Sequence, residues 1–288
     1  MQKIRKGIIP VAGFGTRFLP ATKVFPKPML PIIDKPILQY IVEEFVASGI
    51  EQIILVMDSE NNLMRRHFET FKDLEDHLEK FEKFELLKSV RAISSMADFK
   101  FVVQNGPYGT ATPVLNCEEL IGGEPFVMAF GDDIIKSKVP AIRQMLDIFE
   151  QYQSPAVSTF AVPRSETYHY GVIDGEKVAE RLYKVKQFVE KPKVEEAPSN
   201  LAVNSRYVLT PDIFPILKGL KAENKRELYL TSGVEILLKQ RDFYACEIEG
   251  TYYDCGNKLE FLKAINAYAL ERDDLREDYT AYLKSLKL

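Results

Sequence analysis

The sequence contains few of the residues that build disulfide scaffolds or thiolate metal centres. It has no tryptophan, and only three cysteines and three histidines among 288 residues. The cysteines, Cys117, Cys246 and Cys255, are scattered and lack the C-x-x-C spacing of a zinc or redox site. The histidines also lack metal-ligand spacing, and we interpret them as structural residues. A reducing compartment, the cytoplasm, is therefore expected.

Long apolar runs and an excess of positive charge are also missing. The first apolar run is interrupted by Pro10 and Gly13, which is unlike the core of a signal peptide. No later run approaches the ~20 apolar residues of a membrane span. Lys and Arg total 38 against 42 Asp and Glu, a net charge of −4. We expect neither a membrane nor a nucleic acid as partner, so any bound phosphate must be held by a local site.

The chain does contain the alternation of strand and helix patterns that is typical of β-α-β units. Hydrophobic residues form 46% of it, as in a globular protein. Apolar strands are predicted to end at Val11 and to cover 52–57, 101–103 and 126–130. The predicted fold class is α/β, with a Rossmann-like, mixed and mainly parallel central sheet flanked by helices, in a single domain over 1–288.

An insertion near 68–90 departs from this alternation. Phe71, Leu74, Leu78 and Phe81 recur there at helical spacing among charged residues, which predicts an amphipathic helix. Such a helix either packs on its own domain or serves as an arm for self-association. The amount of apolar surface on a protruding helix favours a homo-oligomer, a homodimer or homotetramer.

The second half of the chain has shorter strand patterns, and the region near 155–210 is predicted to be rich in strands. Ser232 and Glu235 form a capping-box pattern that predicts a helix beginning near Ser232. A C-terminal helical region is predicted from Leu259.

The most informative stretch directly follows the first predicted strand. Gly13 and Gly15 allow its backbone to pass close to a phosphate or a base. The stretch is not a Rossmann G-x-G-x-x-G, because phenylalanine occupies the third glycine position, and it lacks P-loop spacing. Arg17 and Lys27 place two cations on a loop stiffened by prolines, beyond the carboxyl end of a strand. This arrangement predicts a clamp for a triphosphate.

The residues from Gly13 to Pro31 read G-x-G-T-R-x-x-P-x-T-K-x-x-P-K-x-M-L-P. This motif resembles that of the sugar-1-phosphate nucleotidyltransferases, most closely the bacterial branch that uses UTP and glucose 1-phosphate. The similarity extends over nearly the whole chain, including the charged helical insertion. Pro28 stands where the uridylyltransferases usually have glutamate, and Lys-Pro is common there in sister enzymes. A thymidylyl- or cytidylyltransferase on the same scaffold therefore stays open.

The resemblance implies that Arg17 and Lys27 are catalytic and hold the nucleotide phosphates. It also implies base contacts from Gln104 and Gly109, which follow the third predicted strand. A glutamine amide can pair with uracil, but the flipped amide suits cytosine equally, so the chemistry alone leaves the base open. The implied nucleotide-binding residues are Ala12, Gly13, Gly15, Thr16, Gln104 and Gly109.

Carboxylates indicate a metal site. Asp132 and Asp133 close the fourth predicted strand, and Asp254 lies in the run Y-Y-D-C-G. Mg²⁺ in nucleotide sites prefers one or two carboxylates together with phosphate oxygens. The resemblance implies that Asp132 and Asp254 flank Mg²⁺, the expected cofactor, while Asp133 supports them.

A further set of residues is implied for the sugar phosphate, which assigns sugar binding to the strand-rich region. Glu190 and Lys191 are neighbours in the sequence, and such a pair is usually a surface ion pair that adds little to stability. In the resembling family this glutamate accepts sugar hydroxyls and this lysine meets the sugar phosphate. The implied sugar-phosphate-binding residues are Gly171, Glu190, Lys191, Val203 and Asn204.

The resemblance thus implies an Mg²⁺-dependent enzyme with UTP and glucose 1-phosphate as substrates. The sugar phosphate oxygen would attack the α-phosphorus in line, giving UDP-glucose and pyrophosphate, through positioning and charge neutralisation rather than a protein nucleophile. A catalytically silent, nucleotide-sugar-binding regulatory subunit is the alternative from another class. Such a subunit would be expected to lack a phosphate-binding cation or a metal-binding carboxylate. This chain has the expected residues of both types.

Overall fold

Alternating strands and helices make up the computed structural model, which describes residues 2–58, 63–220 and 227–286. The strands are β1 (Lys6–Pro10), β2 (Pro31–Ile32), β3 (Lys35–Pro36), β4 (Gln52–Met57), β5 (Asp98–Val103), β6 (Phe126–Ala129), β7 (Asp133–Lys136), β8 (Ala156–Ala161), β9 (Gly171–Ala179), β10 (Leu182–Glu190), β11 (Leu201–Leu209), β12 (Tyr244–Glu247) and β13 (Thr251–Asp254). The helices are α1 (Ile37–Ala47), α2 (Leu63–Phe68), α3 (Lys72–Lys80), α4 (Phe84–Ser94), α5 (Thr112–Leu115), α6 (Glu118–Ile121), α7 (Ala141–Tyr152), α8 (Ile213–Gly219), α9 (Leu230–Leu237), α10 (Lys258–Ala269) and α11 (Arg276–Ser285). None of these helices combines the length and apolar character needed to cross a membrane.

The central sheet joins a parallel half to a largely antiparallel half. Within the described residues, nine strands follow the order β5-β4-β1-β6-β11-β8-β12-β10-β9. β5, β4, β1 and β6 are parallel, as the β-α-β pattern predicts. β11 then runs antiparallel to β6, and its start therefore lies where β6 ends. The predicted mixed α/β fold is confirmed.

The inner parallel strands β1, β4 and β6 are apolar along most of their length because both faces of the sheet are covered there, whereas the edge strand β5 contains Asp98 and Lys100. In β1, Ile8 belongs to one core cluster and Ile9 to the other, and both are fully buried. The cluster around Ile9 includes the apolar faces of α1 and α7, and the cluster around Ile8 includes those of α8 and α9. Strands buried on both faces show no polar alternation, which explains the continuous apolar runs in the sequence.

A buried ion pair connects α1 to β11 beneath the carboxylates. Nη2 of Arg206 lies 2.6 Å from Oε2 of Glu44, with both side chains buried. The same Nη2 donates a 2.9 Å hydrogen bond to the backbone carbonyl of Asp133. Removing either partner would leave an uncompensated buried charge, so this pair fixes the start of β7 strongly.

The predicted amphipathic helix is present in part, because the segment forms two helices: α3, which excludes Phe71 and Phe81, and α4, which packs against it. Leu78 is buried, whereas Phe71, Leu74 and Phe81 are exposed. An ion pair of 2.8 Å between Arg91 and Glu75 joins the two helices. The remaining apolar stripe faces away from the chain, and its role in self-association stays a prediction.

The capping-box prediction for α9 is wrong about where the helix begins. The helix starts at Leu230, so Ser232 lies inside its first turn. The N–H of Leu230 donates a 2.9 Å hydrogen bond to Oγ1 of Thr110. The first N–H group of α9 is therefore satisfied by a side chain from a distant loop. No local sequence pattern could indicate this contact.

Candidate active site

Two adjoining cavities open at the edge of the sheet where the parallel strands β1, β5 and β6 end. The smaller has a volume of about 310 Å³ and is lined by the loops that follow β1 and β5. The larger has a volume of about 640 Å³ and lies against β9, β10 and β11. Both linings include Thr110, Phe130, Asp132 and Tyr229. Ligands of open α/β sheets bind at this edge, and groups in the two cavities would meet near Asp132.

The smaller cavity contains most of the residues predicted to bind the nucleotide. Its lining includes Ala12, Gly13, Lys27, Gln104 and Gly109. A Cβ built on Gly13 would have no neighbouring atom within 4 Å. The backbone at Gly13 therefore faces open space, into which a flat base or a ribose can come close.

Gly15 and Thr16, both described residues, lie outside the lining of either cavity. Gly15 has a φ of 60°, in the left-handed region, and its carbonyl accepts a 2.8 Å hydrogen bond from Oγ1 of Thr22. A Cβ at this position would lie 3.0 Å from Cβ of Lys27. Gly15 thus shapes the loop that brings Lys27 to the cavity.

A segment that sequence reasoning missed closes the side of both cavities. The N–H of Leu228 donates to the carbonyl of Tyr108 at 2.7 Å, and the N–H of Ala111 donates to the carbonyl of Leu228 at 3.0 Å. Gly109 has a φ of 121°, and a Cβ there would lie 2.2 Å from the Leu228 oxygen, so only glycine fits. This pairing brings Tyr229 to the junction of the cavities. The glycine was visible in the sequence, but the segment packed against it was not.

Three carboxylates converge at the junction of the cavities. β7 pairs antiparallel with β13, which sets Asp133 opposite Asp254, and Asp132 directly precedes β7. Oxygen atoms from the three side chains lie within 4.8 Å of one another. Carboxylate oxygens at this spacing fit a hard divalent cation.

Gly256 occupies the centre of this cluster. Its N–H donates a 2.8 Å hydrogen bond to Oδ1 of Asp254. A Cβ on Gly256 would lie 2.6 Å from Nη2 of Arg17, 2.7 Å from Oδ1 of Asp254 and 2.9 Å from Oδ2 of Asp132. A side chain at this position would displace the ends of these three side chains, so glycine allows their close approach. The D-x-G spacing was the only sequence signal for it.

The predicted catalytic cations are paired with the predicted metal ligands. The Lys27 ammonium forms an ion pair with the Asp132 carboxylate, and Nη1 of Arg17 lies 3.6 Å from Oδ2 of Asp254. The Arg17 side chain is 61% exposed and that of Lys27 is 16% exposed. Arg17 can therefore reorient toward a ligand more freely than Lys27.

Asp133 is strongly perturbed by its surroundings. Its pKa is raised to about 7, chiefly by burial and further by the charges of Asp132 and Asp254. Arg206 and the hydrogen bond from the Tyr252 hydroxyl oppose this rise. Buried carboxylates whose pKa is raised by a neighbouring like charge create a site that a bound cation would stabilise.

The pKa of Asp254 is also raised, first by burial and then by Asp132. Arg17 and the N–H of Gly256 partly offset this rise. The cluster thus has more negative charge than its own cations neutralise.

All five residues predicted to bind the sugar phosphate line the larger cavity, namely Gly171, Glu190, Lys191, Val203 and Asn204. Antiparallel pairing of β9 with β10 sets Gly171 opposite Glu190. A Cβ on Gly171 would lie 2.8 Å from the Phe188 ring and 3.3 Å from Oε2 of Glu190. The glycine therefore keeps the approach to Glu190 open.

Lys191 adopts an uncommon backbone conformation. Its φ is 45°, in the left-handed region, and its N–H donates a 3.1 Å hydrogen bond to the carbonyl of Tyr170. Its Nζ lies 3.9 Å from Oε1 of Glu190. A non-glycine residue held at positive φ is a strained feature that functional sites often retain.

Aromatic side chains that were not among the predicted site residues complete the larger cavity. They are Tyr168, His169, Tyr170, Phe188, Tyr207 and Tyr252. The sequence pattern predicts only a structural role for His169, yet it lies in this lining with its ring centroid 3.9 Å from that of Tyr168. Three of these residues are consecutive in the chain, but Phe188, Tyr207 and Tyr252 lie on β10, β11 and β13, so only the fold brings the whole set together.

Comparison with known proteins agrees with this geometry. The model of the nucleotidyl transferase family matches residues 6–271. The chain is 43% identical over 288 residues to a UTP–glucose-1-phosphate uridylyltransferase of Staphylococcus epidermidis, covering all of both chains. It is 42% identical over 286 residues to the enzyme of that name from Staphylococcus haemolyticus, covering 99% of each.

Solved structures give the same result. A UDP-glucose pyrophosphorylase from Acinetobacter baumannii superposes with a TM-score of 0.92 at 33% identity, over 99% of this chain and 100% of that one. A UDP-glucose pyrophosphorylase complexed with UDP-glucose superposes with a TM-score of 0.84 at 39% identity, over 93% of this chain and 100% of that one. The resemblance that the Gly-rich motif indicates is confirmed, and the chain belongs to the nucleotidyl transferase family.

Proposed function

We propose that this chain transfers a uridylyl group from UTP to glucose 1-phosphate, giving UDP-glucose and pyrophosphate. The observation that carries the proposal is the position of Asp132, which lines both cavities and lies within reach of Lys27 and Asp254. Two polyanionic substrates can meet there between cations and carboxylates. The uridylyltransferase relatives and the UDP-glucose and UTP complexes among the similar structures support this choice of substrates.

The smaller cavity would hold UTP. Gln104 offers an amide to the base edge, and Gly13 leaves space for the backbone to approach the base and ribose. Lys27 and Arg17 would move from their carboxylate partners to the phosphates, because phosphate oxygens offer them a stronger, multiply charged acceptor.

The larger cavity would hold glucose 1-phosphate. Glu190 can accept hydrogen bonds from sugar hydroxyls, and Lys191 can meet the phosphate. We therefore describe the chain as one domain with a helical insertion near 68–90 and a sugar-binding, strand-rich part near 155–210.

The reaction needs no protein nucleophile. A phosphate oxygen of glucose 1-phosphate forms the new bond to the α-phosphorus of UTP, and the bond from that phosphorus to the bridging oxygen of pyrophosphate breaks. Lys27, Arg17 and Lys191 neutralise charge on both polyanions and align them.

Asp132 and Asp254 would hold the divalent cation, for which we propose Mg²⁺, and Asp133 would support them through β7. When bound, Mg²⁺ neutralises charge on the nucleotide phosphates. Three converging carboxylates with raised pKa values for two of them fit such an ion.

One assay tests the substrate assignment. Pyrophosphate release is measured for UTP, dTTP, CTP and ATP, each with several sugar 1-phosphates. The proposal expects the highest kcat/KM for UTP with glucose 1-phosphate. A preference for dTTP or CTP would indicate the sister reactions, and no turnover with any pair would indicate a silent regulatory subunit. Lys27→Ala, prepared in the same way, controls for contaminating activity.

We also propose that the chain forms a homodimer or homotetramer in the cytoplasm. The exposed apolar surface of the α3–α4 hairpin, made of Phe71, Leu74, Phe81, Phe84 and Leu86, supports self-association. The three cysteines are free and buried, which agrees with a reducing compartment.

A further inference from the structure

We infer that Phe14 and Tyr108 form an aromatic clasp that closes over the base of the bound nucleotide. This role rests on the proposed function and adds two positioning residues to it. The two rings stack with their centroids 5.8 Å apart and their planes 16° apart. Phe14 belongs to the Gly-rich loop after β1 and Tyr108 to the loop after β5, so their contact joins two loops that line the smaller cavity.

The clasp lies at the mouth of this cavity. Tyr108 is part of the lining together with Gln104 and Gly109, and Phe14 directly follows Gly13, another lining residue. Phe14 is nevertheless 64% exposed and Tyr108 47% exposed. Stacked rings that stay this exposed beside a cavity retain apolar surface that a flat ligand can cover.

The ring spacing decides how a base is covered. A base inserted between two rings needs about 7 Å, twice a contact distance of ~3.5 Å. The observed centroid separation of 5.8 Å is too short for this. The rings therefore part to admit the nucleotide and close above its base, instead of holding the base between them.

The two halves of the clasp differ in how they are held. The carbonyl of Tyr108 accepts a 2.7 Å hydrogen bond from Leu228, which ties this half to the segment before α9. Phe14 directly follows Gly13, where a Cβ would have no neighbouring atom within 4 Å. Since glycines give a loop conformational freedom, Phe14 is the half that moves.

Substitutions test the clasp by separating binding of the base from the chemistry. Phe14→Ala and Tyr108→Ala should each raise the Kd and KM for UTP about 5- to 100-fold, because base–aromatic stacking has this magnitude. The KM for glucose 1-phosphate and the kcat should change little. Phe14→Tyr and Tyr108→Phe should restore binding, and Phe14→Leu, which is apolar but not aromatic, should restore it only in part.

The C-terminal helix offers a matched control. Tyr282 is 57% exposed and stacks on Tyr279 with centroids 6.3 Å apart. Tyr282→Ala removes a similar exposed, stacked ring and should leave the Kd and KM for UTP unchanged. Circular dichroism and melting temperatures establish that every variant is folded.

Because the chain contains no tryptophan, Phe14→Trp supplies a single fluorescent reporter. UTP and UDP-glucose, which carry a base, should change its emission with saturation, whereas pyrophosphate and glucose 1-phosphate should not. Tyr282→Trp should respond to none of them. The clasp is rejected if Phe14→Ala binds UTP as tightly as the wild type by calorimetry, or if pyrophosphate moves the reporter as much as UTP does. Failure of the wild type to bind UTP at all would reject the proposed function, and the clasp with it.

Discussion

The hydroxyl of Tyr252 donates a 2.9 Å hydrogen bond to Oδ1 of Asp133, across the pairing of β13 with β7. Arg206 holds the backbone carbonyl of the same aspartate from the other side. Asp133 is thus fixed in a buried position beside Asp132 and Asp254. Burial and the neighbouring carboxylates both disfavour the ionised form of Asp133, and this cost should be measurable.

In the metal-free protein, Asp133 should contribute a loss of stability as the pH rises from about 4 to about 7. The pKa of Asp133 is about 7 in the folded state against an ordinary value of 3.8. The folded state therefore binds this proton more tightly, and the stabilisation is complete below the unfolded pKa and lost as the pH rises through the folded pKa. Asp133→Asn removes this titrating group. It should reduce the change in the free energy of unfolding over this pH range by ~1–3 kcal/mol.

Urea unfolding at a series of pH values, with a chelator present, measures this change. Asp242→Asn alters an exposed aspartate paired with Lys184 and should keep the wild-type slope. If the free energy of unfolding of Asp133→Asn varies with pH as it does in the wild type, other groups cause the dependence.

Asp254→Asn should abolish most turnover while the melting temperature stays nearly unchanged. The substitution keeps the shape of the side chain but removes one of the charges proposed to hold Mg²⁺. We expect kcat/KM to fall about 100-fold or more. Measuring activity as a function of Mg²⁺ concentration tests the loss of turnover, and a thermal melt tests the stability. Retained Mg²⁺-dependent activity would show that Asp254 is not a metal ligand.

Gly256→Ala should lower kcat by about 10- to 100-fold, because its Cβ would lie 2.7 Å from Oδ1 of Asp254 and 2.9 Å from Oδ2 of Asp132 and would displace both carboxylates. The matched control is Gly219→Ala at the end of α8, where a Cβ would have no atom within 4 Å. Steady-state kinetics of the two variants compare them directly. Equal kcat values would show that the cluster tolerates the displacement.

The candidate site could be predicted where its residues directly follow apolar strands. Gln104 comes immediately after β5, and Asp132 lies between β6 and β7. A strand end is visible as the point where an apolar run stops, and in parallel sheets such ends share one edge. Continuous motifs such as the loop holding Arg17 and Lys27 could therefore be interpreted from the sequence alone.

Contacts between residues far apart in the chain could not be predicted. Glu44 and Arg206 are 162 positions apart, and each is a charged residue in an element whose pattern gives no partner. Likewise, the hydroxyl oxygen of Thr110 accepts a hydrogen bond from the N–H of Leu230, the first residue of α9, which is 120 positions away. Such pairs depend on how helices and strands pack, so local propensity and periodicity contain no information about them.

Light scattering should find a stable oligomer at micromolar concentration. Phe71 and Phe81 are exposed on the α3–α4 hairpin, and their burial in an interface would remove apolar surface from water. Phe81→Glu together with Phe71→Glu should shift the protein toward monomer. Tyr282→Glu, at an exposed ring on α11, should leave the mass unchanged. A wild-type monomer under these conditions would exclude the proposed assembly.

Lys27 and Lys191 should produce different kinetic defects, because they lie in different cavities. Lys27 lines the smaller cavity beside Asp132, and Lys191 lines the larger one. Lys191→Ala should raise the KM for glucose 1-phosphate, since its ammonium would hold the sugar phosphate in the ground state and the transition state alike. Lys27→Ala should mainly lower kcat, by about 10²–10³-fold, because charge on the nucleotide phosphates develops during transfer.

Steady-state kinetics with each substrate varied in turn separate the two effects. Lys191→Arg should restore the KM only in part, because a planar guanidinium replaces a compact ammonium on a backbone already held at a φ of 45°. Lys193→Ala removes a nearby exposed lysine that pairs with Glu196, and it should leave both KM values unchanged. If Lys191→Ala weakened UTP alone and left the KM for glucose 1-phosphate unchanged, the larger cavity would be the nucleotide site and the assignment of the two cavities would be reversed.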